Sequence, residues 1–312
     1  MNKPLPRVGF VGLGAMGMPM AKSLLRAGLT VTAYDVRSDA INEFTAAGGQ
    51  GAATLGKVSA DADVLVLAVV NAAQVESVLF GQGNAAAAMQ PGGVVVVCST
   101  VGPDFARTTG TRLAEAGLLM LDAPMSGGTL RAADGSLSIM AAGPDAAFAK
   151  AQPVLDALAA NVYRMGAEHG LGSMMKLVNQ LMAGSHIAVA CEAMAYGARA
   201  GLDPAKIYEV ICNSAGMSWM FQNRMPHVLA DDFTPHSAID IWPKDLSLVL
   251  ETGKELKFPL VMAGAALQLF TMASGAGLGR EDDAALVKIY EQLLGFRIVD
   301  AGGEDGEDEG DA

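Results

Sequence analysis

The sequence has few residues of the types that build a metal site or a disulfide framework. Its 312 residues include only three cysteines and four histidines. The cysteines are far apart and form no CxxC pair, and the histidines lack the spacing of metal ligands. We therefore predict no metal, and reduced, packed thiols of the kind found in a reducing cytosol. The residues concerned are Cys98, Cys191, Cys212, His169, His186, His227 and His236.

Positive charge is also scarce. The chain has 21 Lys and Arg residues against 33 Asp and Glu residues, which gives a net charge of −12. Because an acidic surface repels phosphate groups, we expect neither a nucleic acid nor a membrane surface as a partner. Six of the acidic residues lie in the last twelve positions, which contain no basic residue. We predict that residues 298–312 form an acidic, disordered tail.

We also identify neither a signal peptide nor a membrane span in the sequence. The apolar run after Arg7 is interrupted by glycine from Gly9 onward, which argues against a signal peptide. The most apolar long stretch, residues 183–200, contains Glu192 and Arg199 and suits a buried helix better than a membrane span. With 51% hydrophobic residues, the chain can fill large cores. We expect a cytoplasmic protein, and the length favours two domains.

The first half of the chain alternates strand-like and helix-like segments. Short apolar runs are separated by helical patterns and glycine-rich turns, which is typical of βαβ units with a parallel sheet. We therefore predict an α/β fold: a Rossmann-type, doubly wound parallel sheet over residues 1–165 that binds a dinucleotide. The predicted strands are Arg7–Val11, Thr30–Tyr34, Val64–Val70, Val94–Cys98 and Leu118–Asp122.

The second half is different, because its segments have helical periodicity and few β-branched runs. We predict an all-helical domain for substrate binding and dimerisation over residues 166–297, with proline and glycine between the helices. Small residues over 183–201 and the apolar helices favour packing between subunits, so we expect a homo-oligomer, a dimer or tetramer. The predicted helices are Ser173–Arg199, Pro204–Asn213, Ser237–Leu256, Pro259–Ser274 and Asp282–Leu294.

A glycine motif follows the first predicted strand and opens the first helix. Gly12 permits a tight turn, Gly14 allows a pyrophosphate to approach the backbone, and Gly17 allows the helix to pack on the strand. Asp35 ends the next strand, where a carboxylate accepts hydrogen bonds from ribose hydroxyls and repels a 2′-phosphate. We predict NAD as the cofactor, although a nearby Arg37 is a feature that accommodates NADP. The predicted cofactor segment is Gly12-Leu13-Gly14-Ala15-Met16-Gly17.

A second motif, Ser126-Gly127-Gly128, follows the strand that ends at Asp122. It places a hydroxyl and two backbone N–H groups at the carboxyl end of a strand, where ligands bind in open parallel sheets. Such a turn suits a carboxylate. The alternative is an ordinary turn without a ligand.

A third pattern places Lys176, Asn179 and Gln180 at positions i, i+3 and i+4 of a predicted helix, on one face among apolar neighbours. A lysine in apolar surroundings loses its proton more easily, because desolvation disfavours the charged form. Such a lysine can exchange a proton with a substrate hydroxyl. The alternative is a snorkelling lysine with two capping amides. Further along, Lys244 and Asp245 open a helix, where an acidic residue is favourable for dipole reasons alone.

Together these motifs resemble the β-hydroxyacid dehydrogenase family over nearly the whole chain, from Val8 to about Leu294. GLGAMGMPMA from Gly12 is similar to the family's cofactor signature, DAPMSGG from Asp122 to its substrate loop, GSMMKLVNQ from Gly172 to its catalytic helix, and KDL from Lys244 to its cofactor-closing motif. Four motifs in the same order are far more specific than any one of them.

The resemblance implies roles for individual residues. It implies that Lys176 is the catalytic acid/base and that the turn from Ser126 to Gly128 holds the substrate carboxylate. It also implies that Asn179 orients the substrate and that Thr100 and Lys244 lie at the cofactor. Gln180 stands where many relatives have a second Asn; this keeps a hydrogen-bonding role at that position but leaves the identity of the substrate open.

Two further segments, AGMSWMFQNR from Ala215 and DFTPHSAIDIWPK from Asp232, resemble a branch of that family that acts on four-carbon sugar acids. This resemblance implies oxidation of L-threonate at C2 to a 2-oxo acid, with Ser218, Gln222 and Asn223 as candidates for binding the extra hydroxyls. The alternatives are 3-hydroxyisobutyrate or a tartronate semialdehyde-like substrate, and, in another class, an NAD-binding sensor without turnover.

Overall fold

The computed structural model describes residues 4–301, so residues 302–312 of the predicted tail lie outside it. The chain forms two compact units, the first extending to Lys176 and the second beginning at Leu177. The domain boundary that we predict at residue 165 stays a prediction. Residues 298–300 form a short 3-10 turn, and Ile298 is fully buried.

The first unit contains a nine-stranded sheet in the order β3-β2-β1-β4-β5-β6-β8-β7, with β9 beside β8. The pairs among β1 to β6 are parallel, whereas β8 runs antiparallel to β6 and β7 and parallel to β9. The predicted doubly wound sheet is therefore confirmed. The strands are β1 Val8–Val11, β2 Val31–Tyr34, β3 Gln50–Gly51, β4 Val64–Leu67, β5 Val94–Val97, β6 Leu119–Asp122, β7 Met125–Ser126, β8 Leu137–Ala142 and β9 Ala159–Gly166.

Helices cover both faces of this sheet. Along β4, Val64 and Val66 belong to one hydrophobic cluster, while Leu65 and Leu67 belong to another on the opposite face. All four residues of β4 are buried, as expected for a strand covered on both sides. The helices are α1 Gly17–Arg26, α2 Ser38–Ala46, α3 Leu55–Ala60, α4 Ala72–Phe80, α5 Ala85–Ala88, α6 Pro103–Glu115, α7 Gly128–Asp134 and α8 Asp145–Leu158.

The parallel strands end in register at one edge of the sheet. Val11 of β1 pairs with Tyr34 and Leu67, Leu67 pairs with Val97, and Val97 pairs with Asp122. The segments that follow these strands therefore leave the sheet side by side. In open parallel sheets this carboxyl edge is where ligands bind.

The strands β3, β7, β8 and β9 are absent from the predicted set. β8 has the sequence LSIMAA, in which alanines replace the β-branched residues that mark a strand. β9 is mostly exposed and ends at a glycine. Neither segment has the continuous apolar pattern that made the central strands predictable.

Helix α9, Leu171–Arg199, begins in the first unit and ends in the second. In the second unit, Trp242 stacks on Phe270 with 5.4 Å between ring centroids. Trp219 begins α11, a helix absent from the predicted set because Pro226 interrupts its pattern. The other helices are α10 Pro204–Cys212, α11 Trp219–Leu229, α12 Ile241–Glu255, α13 Val261–Ala273 and α14 Val287–Leu294, with a π turn at Ser274–Leu278 and a 3-10 turn at Asp283–Leu286.

The segment Val261–Leu278 is long and apolar enough to cross a membrane by length and composition alone. Ala266 and Phe270 of this segment are buried in the core of the second unit. The core helix of a globular unit has the same composition, so the segment is weak support for a span.

Candidate active site

The glycine motif forms the turn between β1 and α1. Gly12 has φ +96°, and a Cβ there would lie 2.6 Å from the carbonyl oxygen of Ala68. A Cβ on Gly17 would lie 1.8 Å from the carbonyl oxygen of Gly12, so the helix meets the turn with no room for a side chain. Gly14 has no atom within 4 Å of such a Cβ, which leaves the turn open on one side. With no side chain capping α1, its N-terminus suits a pyrophosphate.

Asp35 follows β2 at the same edge of the sheet. One carboxylate oxygen accepts the N–H of Leu13 at 2.7 Å, and the other accepts the N–H of Arg37 at 2.9 Å. The Arg37 guanidinium donates to the carbonyl of Leu13 at 2.9 Å and lies 3.4 Å from the Asp35 carboxylate. A carboxylate has about four acceptor sites, so Asp35 retains capacity for ribose hydroxyls.

The predicted substrate turn lies at the same edge of the sheet, four residues after the end of β6. Ser126 pairs with Ser138 across β7 and β8. The next two residues, Gly127 at φ +138° and Gly128 at φ +70°, have left-handed backbones and lead into α7. No side chain caps this helix, and a Cβ on Gly128 would meet nothing within 4 Å. The backbone at Gly128 therefore adjoins open space, whereas Gly127 packs against Arg131. Thr100 follows β5 at this edge, three residues after Val97, and is half-buried.

Lys176 lies on α9 and is 8% exposed. The start of that helix is attached to the end of β6, because Asp122 accepts hydrogen bonds from Gly170 and Ser173. The first unit therefore places the predicted cofactor segment, Asp35, Thr100 and the substrate turn along one edge of the sheet. It also ties the helix that carries Lys176 to that edge.

The remaining predicted residues belong to the second unit, where they form a chain of contacts. The side-chain amide of Asn179 donates to Gln180 at 3.0 Å, and Gln180 donates to Asp245 at 2.7 Å. Lys244 Nζ lies 2.7 Å from the other carboxylate oxygen of Asp245. Gln180 and Asp245 are buried. Asp245 therefore fixes the side chain of Gln180, which in turn orients Asn179.

Two acidic residues organise these groups, and sequence reasoning gave no role to Asp122 and only a helix-dipole interpretation to Asp245. Both are buried, and Asp122 ends the otherwise apolar strand β6. A buried carboxylate requires hydrogen-bond partners. An acidic residue in an apolar run, such as Asp122, is therefore the sequence signal for such a role. At Asp245 the contact with Gln180 replaces the simple dipole interpretation.

The three polar side chains considered for extra substrate hydroxyls have contacts within the second unit. Ser218 caps α11 by accepting the N–H of Phe221 at 3.1 Å, and Asn223 contacts Arg224. The carbonyl of Gln222 accepts a hydrogen bond from Tyr208, and its side chain is exposed. Among residues 4–301, no three His, Cys, Asp or Glu side chains group as metal ligands.

Two family models match the chain in succession. Residues 7–166 match the NAD binding domain of 6-phosphogluconate dehydrogenase, and residues 170–290 match the NAD-binding domain of NADP-dependent 3-hydroxyisobutyrate dehydrogenase. The chain belongs to the 3-hydroxyisobutyrate dehydrogenase-like family. The predicted family is thereby confirmed, and NAD is its cofactor.

Individual relatives agree with this assignment. The L-threonate dehydrogenase of Cupriavidus necator is 54% identical over 91% of this chain and 95% of its own length. The 3-hydroxyisobutyrate dehydrogenase of Pseudomonas aeruginosa is 32% identical over 91% of this chain and 98% of its own. A crystal structure of 3-hydroxyisobutyrate dehydrogenase from Salmonella typhimurium is 49% identical, covers 91% of this chain and 99% of its own, and has a TM-score of 0.85. The chain is thus an NAD-dependent dehydrogenase of a small hydroxy acid.

Proposed function

We propose that this dehydrogenase oxidises L-threonate at C2 to the 2-oxo acid 2-dehydro-L-erythronate. The choice of substrate rests on the 54% identity to an L-threonate dehydrogenase over nearly the full length of both chains. An L-threonate dehydrogenase of Escherichia coli, at 51% identity over 92% of this chain, supports the same substrate.

The reaction converts a carbinol and NAD⁺ into a carbonyl, NADH and a proton. Bound NAD⁺ would supply the hydride acceptor for this oxidation. We assign Lys176, in its neutral form, to accept the hydroxyl proton as the carbonyl forms. Ser126, Gly127 and Gly128 hold the substrate carboxylate through a hydroxyl and backbone N–H groups. Asn179 and Gln180 bind substrate hydroxyls.

The cofactor contacts are assigned to the glycine turn, to Asp35, and to Thr100 and Lys244. The open space at Gly14 supports the pyrophosphate contact, because a side chain there would occupy it. The carboxylate of Asp35 supports NAD over NADP.

A second candidate substrate is 3-hydroxyisobutyrate, which is favoured by the 49% identity to the 3-hydroxyisobutyrate dehydrogenase of Salmonella typhimurium. NADH formation should be measured with L-threonate, D-threonate, D-erythronate, 3-hydroxyisobutyrate and glycerate. We expect the highest kcat/KM with L-threonate. A preference for another acid would overturn the proposed substrate but leave the proposed proton and hydride transfer in place. NAD binding without turnover on any acid would support the sensor alternative.

Replacement of Lys176 by Ala tests its assigned role. We expect kcat to fall by about 10²–10⁴-fold, the usual contribution of a general acid/base, while NADH binding stays unchanged. Steady-state kinetics and NADH fluorescence titration measure the two quantities. The exposed Lys57 serves as a control, because Lys57→Ala makes the same truncation elsewhere in the first unit. Near-normal turnover of Lys176→Ala would contradict the assignment.

We also propose a cytoplasmic homo-oligomer that binds neither membranes nor nucleic acid. The net charge of −12 supports the last two points. Burial raises the pKa of the Cys98 thiol to about 12, and unreactive thiols suit a reducing compartment. Analytical ultracentrifugation gives the oligomeric state, and a monomer would contradict this part of the proposal.

A further inference from the structure

Asp122 is a fully buried carboxylate at the end of β6. One oxygen accepts the backbone N–H groups of Gly170 and Ser173, both at 2.9 Å, and the other accepts the hydroxyl of Ser173 at 2.6 Å. Burial raises the pKa of Asp122, and these hydrogen bonds oppose the rise, as does the charge of His169. With no exposed surface, Asp122 acts on other residues of the chain rather than on a ligand.

These hydrogen bonds occupy the place of a helix cap. The first N–H groups of a helix have no partner within it and are usually satisfied by the side chain of the preceding residue. α9 begins at Leu171, and the preceding residue, Gly170, has no side chain. Asp122 supplies the missing acceptor from a strand 51 residues earlier than Ser173. Its negative charge also suits the positive end of the helix.

Close packing restricts the same turn of α9. A Cβ on Gly172 would lie 2.4 Å from the carbonyl oxygen of Asp122 and 2.5 Å from that of Met140. Just before the helix, His169 Nε2 lies 3.1 Å from the carbonyl oxygen of Met120. The first turn of α9 therefore packs directly against β6 and β8. The helix cannot slide along its axis or rotate about it there without a clash with these carbonyl oxygens.

Building on the proton-transfer role proposed for Lys176, we propose that Asp122 is a positioning residue that holds Lys176 in register with the substrate turn. Ser173 lies one turn before Lys176, about 4.5 Å along the helix axis. Ser126 lies four residues after Asp122 in the chain. One carboxylate thus joins the start of the Lys176 helix to the strand from which the substrate turn departs.

Three variants separate the hydrogen bonds from the charge. Asp122→Ala removes all three bonds, and Ser173→Ala removes only the hydroxyl bond. Asp122→Asn keeps the geometry, because its oxygen can accept both N–H groups while its amide donates to the Ser173 hydroxyl. Ser59→Ala is the matched control. Ser59, like Ser173, is buried in this unit, but its hydroxyl donates to the backbone carbonyl of Leu55, at 2.9 Å, and not to Asp122.

We expect kcat to fall about tenfold in Ser173→Ala and about a hundredfold in Asp122→Ala, the scale of a 1 Å misplacement, with the Kd for NADH nearly unchanged. Asp122→Asn should turn over about tenfold faster than Asp122→Ala, since it keeps the position of the helix. Ser59→Ala should have wild-type kcat.

The decisive measurement repeats Ser173→Ala and Asp122→Asn in a Lys176→Ala background. If Asp122 acts through Lys176, its variants should have almost no further effect once the amine is gone, about twofold or less. Methylamine supplied in solution should then restore turnover equally with and without Ser173→Ala, because a free amine does not depend on the helix start.

The two proposals fail in different ways. Normal turnover of Lys176→Ala would overturn the role of Lys176 and this inference with it. Suppose instead that Lys176→Ala is slow and that adding Ser173→Ala lowers its kcat by the full further factor of about ten, with and without methylamine. The role of Lys176 would then stand, and the positioning role of Asp122 would be overturned. If Asp122→Ala does not fold, Ser173→Ala and Asp122→Asn still distinguish these outcomes.

Discussion

Asp35 combines contacts within the fold with the role in cofactor choice that we propose for it. It accepts the N–H of Leu13 within the glycine turn and the N–H of Arg37 beyond β2. Its remaining lone pairs suit the hydroxyls of an adenine ribose, whereas its charge opposes a phosphate there. The adjacent Arg37 is 54% exposed in its side chain and is held by that carboxylate.

Replacement of Asp35 by Asn should therefore widen the choice of cofactor. The amide oxygen still accepts the N–H of Leu13, but the charge is lost and Arg37 becomes available to a 2′-phosphate. We expect the ratio of kcat/KM for NADP to that for NAD to rise about tenfold or more, equivalent to about 1.4 kcal/mol. Initial rates with both cofactors measure this ratio.

Asp39→Asn provides the control, because Asp39 is exposed in the first turn of α2 and loses the same charge. An equal change of the ratio in Asp39→Asn would mean that the long-range field, and not the position of Asp35, selects the cofactor.

At the scale of one element, α9 combines a constrained start with a long regular body. Its first turn is in contact with carbonyl oxygens of β6 and β8, at a position where glycine is required by space and not by backbone angle. The sequence pattern placed this helix within two residues of its true start, at Ser173 instead of Leu171. The pattern contains no information on the close approach, because that contact involves backbone atoms far away in the chain.

Gly172→Ala should destabilise the protein, whereas Gly264→Ala should not. A Cβ at Gly172 would overlap two backbone oxygens, so part of the first unit must shift, at a cost of about 1–3 kcal/mol. Gly264 lies in α13 with nothing near its added Cβ, so alanine should stabilise the helix by up to about 1 kcal/mol. Urea denaturation followed by circular dichroism measures both free energies of unfolding. Equal stability of the two variants would show that the start of α9 is free to move.

At the scale of the whole molecule, the sequence determined the class of fold and most central elements. Five apolar runs became β1, β2, β4, β5 and β6, and every end lies within three residues of its prediction. These strands were predictable because burial on both faces leaves a continuous apolar signal. The strands β3, β7, β8 and β9 and the helix α11 were not, because short length, alanine, glycine and an internal proline hide their periodicity.

The candidate site was predictable to a similar extent. Motifs identified the glycine turn, the substrate turn and Lys176, since each has a local sequence signature. The contacts of Asp122 and Asp245 were not predictable, because their partners Ser173 and Gln180 lie 51 and 65 residues away and only the fold brings them together. Their roles depend on long-range contacts that no spacing rule contains.

The second unit contains a buried ion pair, Arg224 with Asp283, that we expect to contribute to the stability of the protein. Arg224 donates to Asp283 at 2.5 and 3.3 Å, and Trp242 donates to the same carboxylate at 3.0 Å. Burial raises the pKa of Asp283 above its usual 3.8, and Asp282 adds to the rise, while Arg224 and Trp242 oppose it. Loss of Arg224 would therefore leave a buried charge without its main partner.

We expect Arg224→Met to lower the free energy of unfolding by about 3–5 kcal/mol at neutral pH, and the double variant with Asp283→Asn to recover most of it. A carboxyl with a raised pKa in the folded state stabilises below its unfolded pKa and loses that contribution as pH rises through the folded value. The loss of unfolding free energy in Arg224→Met should thus become smaller as pH falls from 7 toward the usual pKa of Asp, because Asp283 then becomes protonated and uncharged. Denaturation curves across this range measure it, and a deficit independent of pH would rule out Asp283 as its cause.

The stacked Trp242 has an optical consequence. The sequence has two tryptophans, Trp219 and Trp242, and both lie in the second unit. Trp242 is 3% exposed and Trp219 is 52% exposed. Indole emission therefore originates entirely in that unit. The buried Trp242 contributes a short-wavelength component, and the solvent-exposed Trp219 contributes a longer-wavelength component. Iodide quenches only the second component, so one spectrum distinguishes loosening of the core from changes at the surface.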